Sequence, residues 1–270
     1  MSDGITGATR VYLHLAHPSA HARTPQVMNA EFIRRGIDAV AVSADVAPGD
    51  LGAFTRGLRG WRNLAGLSVT MPHKQALTAH VDELAGQAAL IGAVNVVRRE
   101  ADGRLVAANT DGPGFTVGLS AAGHVLSGRR VLLAGAGGAG HAVAFAVAGA
   151  GAASLTVANR TAARADRLAA DIAAAYPEVA VAVGPPDPAG HDVVINATSL
   201  GMEPGDPLPV LVGRLVPGTL VCDIVTRPAQ TRLLREAAAR GCVPHPGMPM
   251  LAGQVDLILE FLGLTGHRPG

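Results

Sequence analysis

The sequence predicts an α/β protein with two domains. Its 270 residues fit either one large α/β domain or two of ordinary size. Apolar strand-like segments alternate with helix-like segments along the chain, and the connections between them are short. This alternation is typical of a mostly parallel sheet covered by helices. We expect residues 1–110 together with 246–270 to form one domain and residues 111–245 to form the other.

Apolar runs and their boundaries predict the elements of the first domain. An alternating run at residues 10–17 predicts a strand. Thr24 and Pro25 predict the start of a helix, as a hydroxyl N-cap followed by proline at the first helical position, and Gly36 predicts its end. Further strands are expected at residues 37–42, 66–71, 93–98 and 105–108, and further helices at residues 51–60 and 82–91.

The second domain begins with a helix-like segment at residues 111–122, followed by an apolar strand at 130–134. Later strands are expected at residues 154–158, 179–183, 192–196 and 220–225. The last helix, at 251–262, follows a Gly/Pro-rich passage at 244–249. We interpret this passage as a crossover back to the first domain.

Composition and charge exclude several classes of function. The net charge is +1 and no basic run is longer than two residues, which argues against a nucleic-acid surface or a polybasic membrane anchor. Residues 1–10 contain no apolar export segment, and Cys222 and Cys242 are interpreted as reduced core residues. We therefore expect a soluble, cytoplasmic protein that binds neither nucleic acid nor membrane. The expected assembly is a monomer or a homodimer, and the sequence does not distinguish the two.

A glycine-rich motif directly follows the strand at 130–134. It has the spacing G-x-G-x-x-G and precedes a helix-like segment. In this context the first glycine permits a turn, the second lets the backbone approach a pyrophosphate, and the helix N-terminus offers it N–H groups. The motif predicts a Rossmann-type domain that binds a dinucleotide. The residues expected to line the cofactor are Gly135, Ala136, Gly137, Gly138 and Ala139.

The end of the next strand indicates which dinucleotide binds. NAD-binding domains usually place a carboxylate there for the ribose 2′-OH. This chain instead has Asn159, Arg160 and Thr161, then Arg164, and no acid before Asp166. Two guanidiniums suit a 2′-phosphate, although they could also form a solvated pair on one helix face. The sequence favours NADP.

Lys74 is a candidate for acid–base chemistry. It is the single lysine among 22 basic residues. An ammonium can lose its proton at an accessible pH, whereas a guanidinium cannot. A lysine kept where arginine is otherwise used is therefore of interest, although a surface position would also explain it.

Seven short motifs stand in a fixed order along the whole chain. They are SVTMPHK at 68–74, GAVN at 92–95, NTDG at 109–112, GAGGAG at 135–140, NRT at 159–161, INATS at 195–199 and GMPML at 247–251, followed by Gln254. In this order the motifs resemble the shikimate dehydrogenase family. The set is much more specific than any single motif.

The resemblance implies a reaction and roles for individual residues. Lys74 and Asp111 correspond to the catalytic pair, which flanks the substrate hydroxyl that is oxidised while hydride passes to the nicotinamide. The substrate-binding positions correspond to Thr24, Ser68, Thr70, Asn95 and Gln254. The cofactor-binding positions further along the chain correspond to Thr198, Ser199 and Met248. The substrate implied is a small cyclic carboxylate, shikimate or a close analogue.

Four positions depart from the family pattern. Ala22 replaces the first hydroxyl of a pair that binds the substrate carboxylate, and Thr24 supplies the second. Ser68 replaces an asparagine that contacts the ring hydroxyls. His73 replaces a phenylalanine, and Cys222 replaces a tyrosine. The catalytic pair is intact, but several substrate-binding residues differ. This pattern is typical of a paralogue that acts on a related compound such as quinate or an aminoshikimate.

Three other interpretations are weaker. A tetrahydrofolate-type dehydrogenase also uses two domains and a lysine, but the NTDG and INATS motifs argue against it. A non-catalytic metabolite-sensing module would be expected to have lost Lys74 or Asp111, and both are present. His14, His17 and His21 lie close in sequence, but no acid or cysteine completes a ligand set, so no metal site is expected.

Overall fold

The computed structural model describes residues 4–20 and 22–264, so His21 lies outside the described residues. The chain divides into two compact units, Met1–Thr110 with Val255–Gly270, and Asp111–Gln254. We call them unit 1 and unit 2. Both have a sheet with helices packed against it, so the α/β class with two domains is confirmed. Within the described residues, no helix is long and apolar enough to span a membrane.

Unit 1 is built on a six-stranded sheet. Its strands are β1 (Arg10–Ala16), β2 (Ala39–Asp45), β3 (Leu64–Val69), β4 (Glu83–Leu84), β5 (Val96–Arg99) and β6 (Leu105–Ala108). The order is β2-β1-β3-β5-β6-β4. β1 is parallel to β2 and β3, and β4 is parallel to β6, whereas β5 is antiparallel to both of its neighbours. The helices of this part of the chain are α1 (Thr24–Arg35), α2 (Leu51–Leu58), α3 (His73–Ala76) and α4 (Ala88–Ile91).

Successive residues of β1 contribute to two apolar clusters. Leu13 and Leu15 pack with Leu51 of α2 in one cluster. Tyr12 belongs to the other, together with Phe32 of α1, and the two rings meet edge to face at 6.0 Å. Because side chains alternate between the faces of a strand, the sheet of unit 1 is covered on both sides.

Unit 2 is built on a fully parallel six-stranded sheet. Its strands are β7 (Arg130–Ala134), β8 (Ser154–Ala158), β9 (Ala180–Val183), β10 (Val193–Asn196), β11 (Leu220–Asp223) and β12 (Val243–His245). Its helices are α5 (Asp111–Ala121), α6 (Gly138–Gly149), α7 (Ala162–Ala175) and α8 (Arg232–Ala238), and the last helix of the chain is α9 (Met248–Phe261). The order β9-β8-β7-β10-β11-β12 is the doubly wound Rossmann order, which reverses between β7 and β10.

The junction between the units falls inside α9, later than the position 245/246 expected from the sequence. Glycines explain why the first half of α9 belongs to unit 2. A Cβ at Gly118 of α5 would lie 2.7 Å from the carbonyl carbon of Pro249, and one at Gly114 would lie 2.3 Å from Cγ of Gln254. The second half contributes Val255 and Leu259 to the cluster that contains Tyr12 in unit 1.

The helix expected at residues 82–91 is wrong in its first half. Glu83–Leu84 form strand β4, which pairs with β6, and only Ala88–Ile91 are helical. Gly86 lies between them with φ 60°, a left-handed conformation that interrupts a right-handed helix. The apolar residues of this segment fitted a helical pattern, but the pairing with β6 determines its structure.

Three elements of unit 2 were not expected from the sequence. α7 buries Ala165, Leu168 and Ile172, a spacing that would have predicted it. α8 follows Thr231, whose hydroxyl accepts a hydrogen bond from the Leu234 N–H as an N-cap. The passage interpreted as a crossover begins with strand β12, at the edge of the sheet, where a proline such as Pro244 is tolerated.

Candidate active site

One edge of the unit 1 sheet gathers most of the polar residues predicted in that unit. It is formed by the carboxyl ends of β1 and β3 and by the amino end of β5, which lies beside them because β5 is antiparallel to β3. The residues at this edge are His14, Ser68, Thr70, Lys74 and Asn95. The sheet therefore brings together residues that are far apart in sequence.

Lys74 lies just beyond β3, in the short helix α3, and is half-buried. Its backbone carbonyl accepts a hydrogen bond of 2.8 Å from the Val94 N–H. The neighbouring His73 is 1 % exposed, and its Nε2 lies 2.8 Å from the Val46 carbonyl oxygen. At the end of β3, the Thr70 N–H donates to the Leu15 carbonyl at 3.0 Å. Backbone contacts therefore fix the segment that carries Lys74.

Asn95 is buried and bonded to Thr110. Its Nδ2 donates to Thr110 Oγ1 at 3.0 Å, and its Oδ1 accepts from the Thr110 N–H at 2.7 Å. Nδ2 of Asn109 donates to the Ala93 carbonyl at 3.0 Å. Within unit 1 these bonds join the GAVN motif to Asn109 and Thr110, the two residues just before Asp111.

His14 and Ser68 form a buried pair at the same edge. Their strands are in register at these two residues, and His14 Nδ1 lies 2.7 Å from Ser68 Oγ. Burial, and then the positive charge of Lys74, lower the pKa of the His14 imidazole to about 4. The imidazole is therefore neutral at pH 7. Sequence reasoning considered His14 only as a metal ligand and missed this pairing.

Thr24 does not act as the expected N-cap. Helix α1 begins at Thr24 itself with Arg23 in the N-cap position, and no side chain there makes a capping hydrogen bond. Thr24 and Ala22 are both half-buried. Because capping does not occupy the Thr24 hydroxyl, it can serve a ligand.

In unit 2, the glycine-rich loop lies at the carboxyl edge of the sheet, where the strand order reverses. Gly135 has φ 112°, and a Cβ there would lie 2.8 Å from the Ala197 carbonyl group. A Cβ at Gly140 would lie 2.2 Å from the Gly135 carbonyl oxygen. Both positions exclude any side chain. At Gly137, the N-cap of α6, a Cβ would meet nothing within 4 Å.

We expect Gly140→Ala to destabilise the protein by about 1–3 kcal/mol, because its methyl group must displace backbone rather than a flexible side chain. Gly137→Ala is the matched control, and it should remain close to the wild type in stability because its methyl group enters open space. Thermal or urea unfolding of the two variants measures the difference. Equal stability of the two variants would contradict this account of the loop.

Asn159 connects the two loops expected to hold the cofactor. Its Oδ1 accepts a hydrogen bond of 3.1 Å from the Ala136 N–H, and its Nδ2 donates to the Thr161 carbonyl at 2.9 Å. Its side chain thus holds the glycine-rich loop against the segment after β8. The neighbouring Gly138 and Ala139 begin helix α6.

Arg160 and Arg164 are exposed, together with Thr161. Helix α7 begins at Ala162 with Thr161 as its N-cap, and the Thr161 hydroxyl makes no capping bond. Arg160 precedes the helix, so the two arginines do not share a helix face, although both are exposed to solvent. Throughout residues 4–20 and 22–264, neither guanidinium makes a hydrogen bond or an ion pair.

A buried polar network fixes the turn that follows β10. Asn196 Oδ1 accepts from the N–H and the hydroxyl of Thr198, at 3.0 and 2.6 Å. Asn196 Nδ2 donates to Asp223 Oδ1 at 2.9 Å, and Asp223 Oδ2 accepts from the Thr231 hydroxyl at 2.6 Å. Burial raises the pKa of Asp223, and these hydrogen bonds oppose that rise. The network determines where Thr198 and the exposed Ser199 lie.

The remaining predicted residues lie on the helices of unit 2. Asp111 is the first residue of α5 and is 3 % exposed. Gln254 lies on α9 and is 7 % exposed, whereas Met248, at the start of α9, is 43 % exposed. Asp111 and Gln254 therefore have their side chains largely enclosed.

The structure brings together no metal-binding group among its described residues, where no three His, Cys, Asp or Glu side chains are suitably placed. Cys222 and Cys242 are buried free thiols. Burial raises the pKa of the Cys222 thiol.

Two family models match the chain, one to each unit. Residues 15–97 match the "Shikimate dehydrogenase substrate binding domain", and residues 119–201 match "Shikimate / quinate 5-dehydrogenase". The first match covers Ser68, Lys74 and Asn95 of the strand edge, and the second covers the glycine-rich loop and the turn after β10.

Relatives and solved structures resemble the chain over almost its whole length. The shikimate dehydrogenase (NADP(+)) of Rubrobacter xylanophilus is 45% identical, over 98% of this chain and 91% of that protein. The crystal structure of shikimate 5-dehydrogenase from Thermus thermophilus in complex with NADP(H) and shikimate has a TM-score of 0.85 and 35% identity, over 94% of this chain and 93% of that one. The crystal structure of 5-ketofructose reductase from Gluconobacter has a TM-score of 0.83 and 35% identity, over 94% and 92% of the two chains. With both domains matched and relatives at this level of identity, the chain belongs to the shikimate dehydrogenase family.

Proposed function

We propose that this protein is an NADP-dependent shikimate dehydrogenase, which interconverts shikimate and 3-dehydroshikimate. The observation that carries the proposal is that one chain contains both a polar strand edge with its only lysine and a Rossmann unit with two exposed arginines after β8. Relatives named for this NADP-dependent activity, at up to 45% identity, support it. In this proposal unit 1 supplies most of the substrate-binding residues and unit 2 supplies the cofactor-binding residues.

The residues of unit 2 fit a dinucleotide. The backbone at Gly137 is open, the N-terminus of α6 follows it, and the Asn159 bond holds the loop in place. This arrangement offers backbone N–H groups to a pyrophosphate. Arg160, with Arg164 and Thr161, would bind the 2′-phosphate that distinguishes NADP from NAD. Thr198, Ser199 and Met248 would contact the rest of the cofactor.

The proposed chemistry assigns the proton to this chain and the hydride to the cofactor. When bound, NADP accepts the hydride from the carbinol carbon of the substrate. Lys74 would take the hydroxyl proton, since an amine can both accept and return a proton. Asp111 is the second member of the proposed catalytic pair and would orient the substrate hydroxyl. Thr24, Ser68, Thr70, Asn95 and Gln254 would hold the ring and its carboxylate.

The direct test of the function is an absorbance assay. Purified protein is mixed with NADP and, in turn, shikimate, quinate and an aminoshikimate, and the appearance of reduced nicotinamide is followed. We expect turnover with shikimate. If none of these carboxylates leads to reduction of NADP, the proposal is contradicted. If only quinate is turned over, quinate and not shikimate is the substrate.

We expect Ala22→Ser to raise kcat/KM for shikimate. A hydroxyl there would restore a hydrogen bond to the substrate carboxylate, and bonds to charged groups contribute about 1.5–3 kcal/mol. The wild type should correspondingly stay below about 10⁵ M⁻¹s⁻¹. Ala20→Ser, at an exposed position two residues earlier, is the matched control and should change little. A wild type already at that efficiency, or an equal response to both substitutions, would show that no carboxylate bond is missing.

We further propose that the enzyme works in the cytoplasm as a monomer or a homodimer. Its free, buried cysteines support a reducing compartment. Light scattering across a concentration series distinguishes the two assembly states, and a larger particle would contradict both.

A further inference from the structure

His14 is a polar residue at a position of β1 where the strand is otherwise buried and apolar. It is 6 % exposed, and its neighbours Leu13 and Leu15 belong to the core. A histidine in such a place is commonly satisfied on both nitrogens by the protein. Among the described residues, the hydrogen bond to this imidazole joins Nδ1 to Ser68 Oγ at 2.7 Å.

The other ring nitrogen of His14 is available to a ligand. Within residues 4–20 and 22–264, Nε2 makes no hydrogen bond, and it is not one of the fully enclosed polar atoms that lack a partner. Nε2 therefore keeps some accessible surface. The Ser68 bond holds Nδ1, and with the ring buried to this extent it restrains the direction in which Nε2 points.

The position of His14 at the sheet edge relates it to the proposed chemistry. It is close enough to Lys74 for the ammonium charge to oppose its protonation, and it lies in register with Ser68, which precedes Thr70 and Lys74 on the same segment. In a neutral imidazole, Nε2 either accepts a hydrogen bond through its lone pair or donates one through its N–H. A hydroxyl group can be the partner in both cases, whereas a carboxylate binds a cation more strongly.

We propose that His14, oriented by Ser68, is a specificity-determining residue whose Nε2 hydrogen-bonds a ring hydroxyl that is not oxidised in the substrate. This inference rests on the proposed function, since it assumes a polyhydroxylated ring beside Lys74. It adds to that function the residue that distinguishes a substrate bearing this hydroxyl from one without it.

The test combines variants of His14 with analogues of the substrate. kcat and KM are measured for shikimate and for two analogues, each lacking one of its two unreactive ring hydroxyls. We expect His14→Val to lower kcat/KM for shikimate by about 2- to 12-fold, the effect of one neutral hydrogen bond, with the KM for NADP unchanged. For the analogue that lacks the bound hydroxyl, wild type and variant should have nearly equal kcat/KM. His14→Gln, which keeps a hydrogen-bonding group, should retain part of the selectivity.

His191→Val is the matched control, because Nε2 of His191 is bonded to Thr156 Oγ1 at 3.0 Å, a second imidazole–hydroxyl pair but in unit 2. It should leave the ratio of kcat/KM between shikimate and the analogues unchanged. The proposal is overturned if His14→Val and His14→Gln lower kcat/KM equally for all three compounds, or do not lower it at all, while the wild type oxidises shikimate. A wild type that does not oxidise shikimate overturns the proposed function itself, and the two failures are thus distinguished.

Discussion

Lys74→Ala is expected to lower kcat for shikimate oxidation by a factor of about 10²–10⁴, the usual contribution of a positioned acid–base group. The variant removes the group proposed to take the hydroxyl proton. With no other lysine in the chain, no second lysine side chain can replace it. NADP affinity should hardly change, because the residues proposed to bind the cofactor belong to unit 2.

Lys74→Arg is the matched control for charge. It keeps a cation at the position but cannot release a proton, so it should remain as impaired as Lys74→Ala. The measurement is kcat with shikimate deuterated at the carbinol carbon, which shows whether hydride transfer limits the rate. An alanine variant that keeps more than about a third of wild-type kcat, with a full isotope effect, would remove Lys74 from the mechanism. If Lys74→Arg is active, Lys74 contributes its positive charge to the reaction and does not transfer the proton.

The Rossmann unit could be predicted from sequence because its signals are local. Each of its first strands is a short apolar run ended by a polar or glycine-rich turn, and the predicted strands at 130–134 and 154–158 are confirmed at the same residues. The spacing of the glycines was also a local signal, because it predicted positions where a side chain would not fit. The Cβ clashes at Gly135 and Gly140 show that tight backbone contacts require them, as their spacing predicts.

Unit 1 was less predictable because its pairing is not local. Leu84 belongs to a strand only because β6 lies beside it, and β6 follows it in the chain by some twenty residues. Thr24 had the residue type of an N-cap, but the helix begins one residue earlier than a cap at that position requires. Residue preferences predicted both segments wrongly, and for Leu84 the pairing with β6 explains the difference.

The candidate site also combines local sequence signals with contacts between residues that are far apart in the sequence. Motif order located Lys74, Asp111, Asn95 and the cofactor loops, and their roles remain predictions. The side-chain pairs that form at the ends of the neighbouring strands could not be found this way. His14 and Ser68 are separated by 54 positions, and Asn196 and Asp223 by 27. Only the register of β1 with β3, and of β10 with β11, brings each pair together.

Arg160→Ala is expected to weaken NADP binding by about tenfold to a hundredfold, from about 1.5–3 kcal/mol for hydrogen bonds to a charged partner. The Arg160 guanidinium is exposed and makes no ion pair to any described residue, so little protein structure depends on it. A guanidinium can bond a phosphate through two parallel N–H groups, which a neutral side chain cannot reproduce. NAD lacks the 2′-phosphate, and its affinity should hardly change.

Arg160→Asp should go further and reverse the cofactor preference. The new carboxylate would repel the 2′-phosphate while accepting a hydrogen bond from the free 2′-OH of NAD, as the acidic residue of NAD-binding domains does. Arg167→Asp is the matched control, since Arg167 is also exposed, lies on α7 and has Asp171 as its partner at 3.8 Å. It makes the same change in charge and should leave the preference for NADP intact.

Titration of both cofactors against the wild type and the three variants measures these effects. Equal weakening of NAD and NADP by Arg160→Ala would mean that Arg160 shapes the loop rather than binds the phosphate, and a similar response to Arg167→Asp would mean that the effect comes from overall charge.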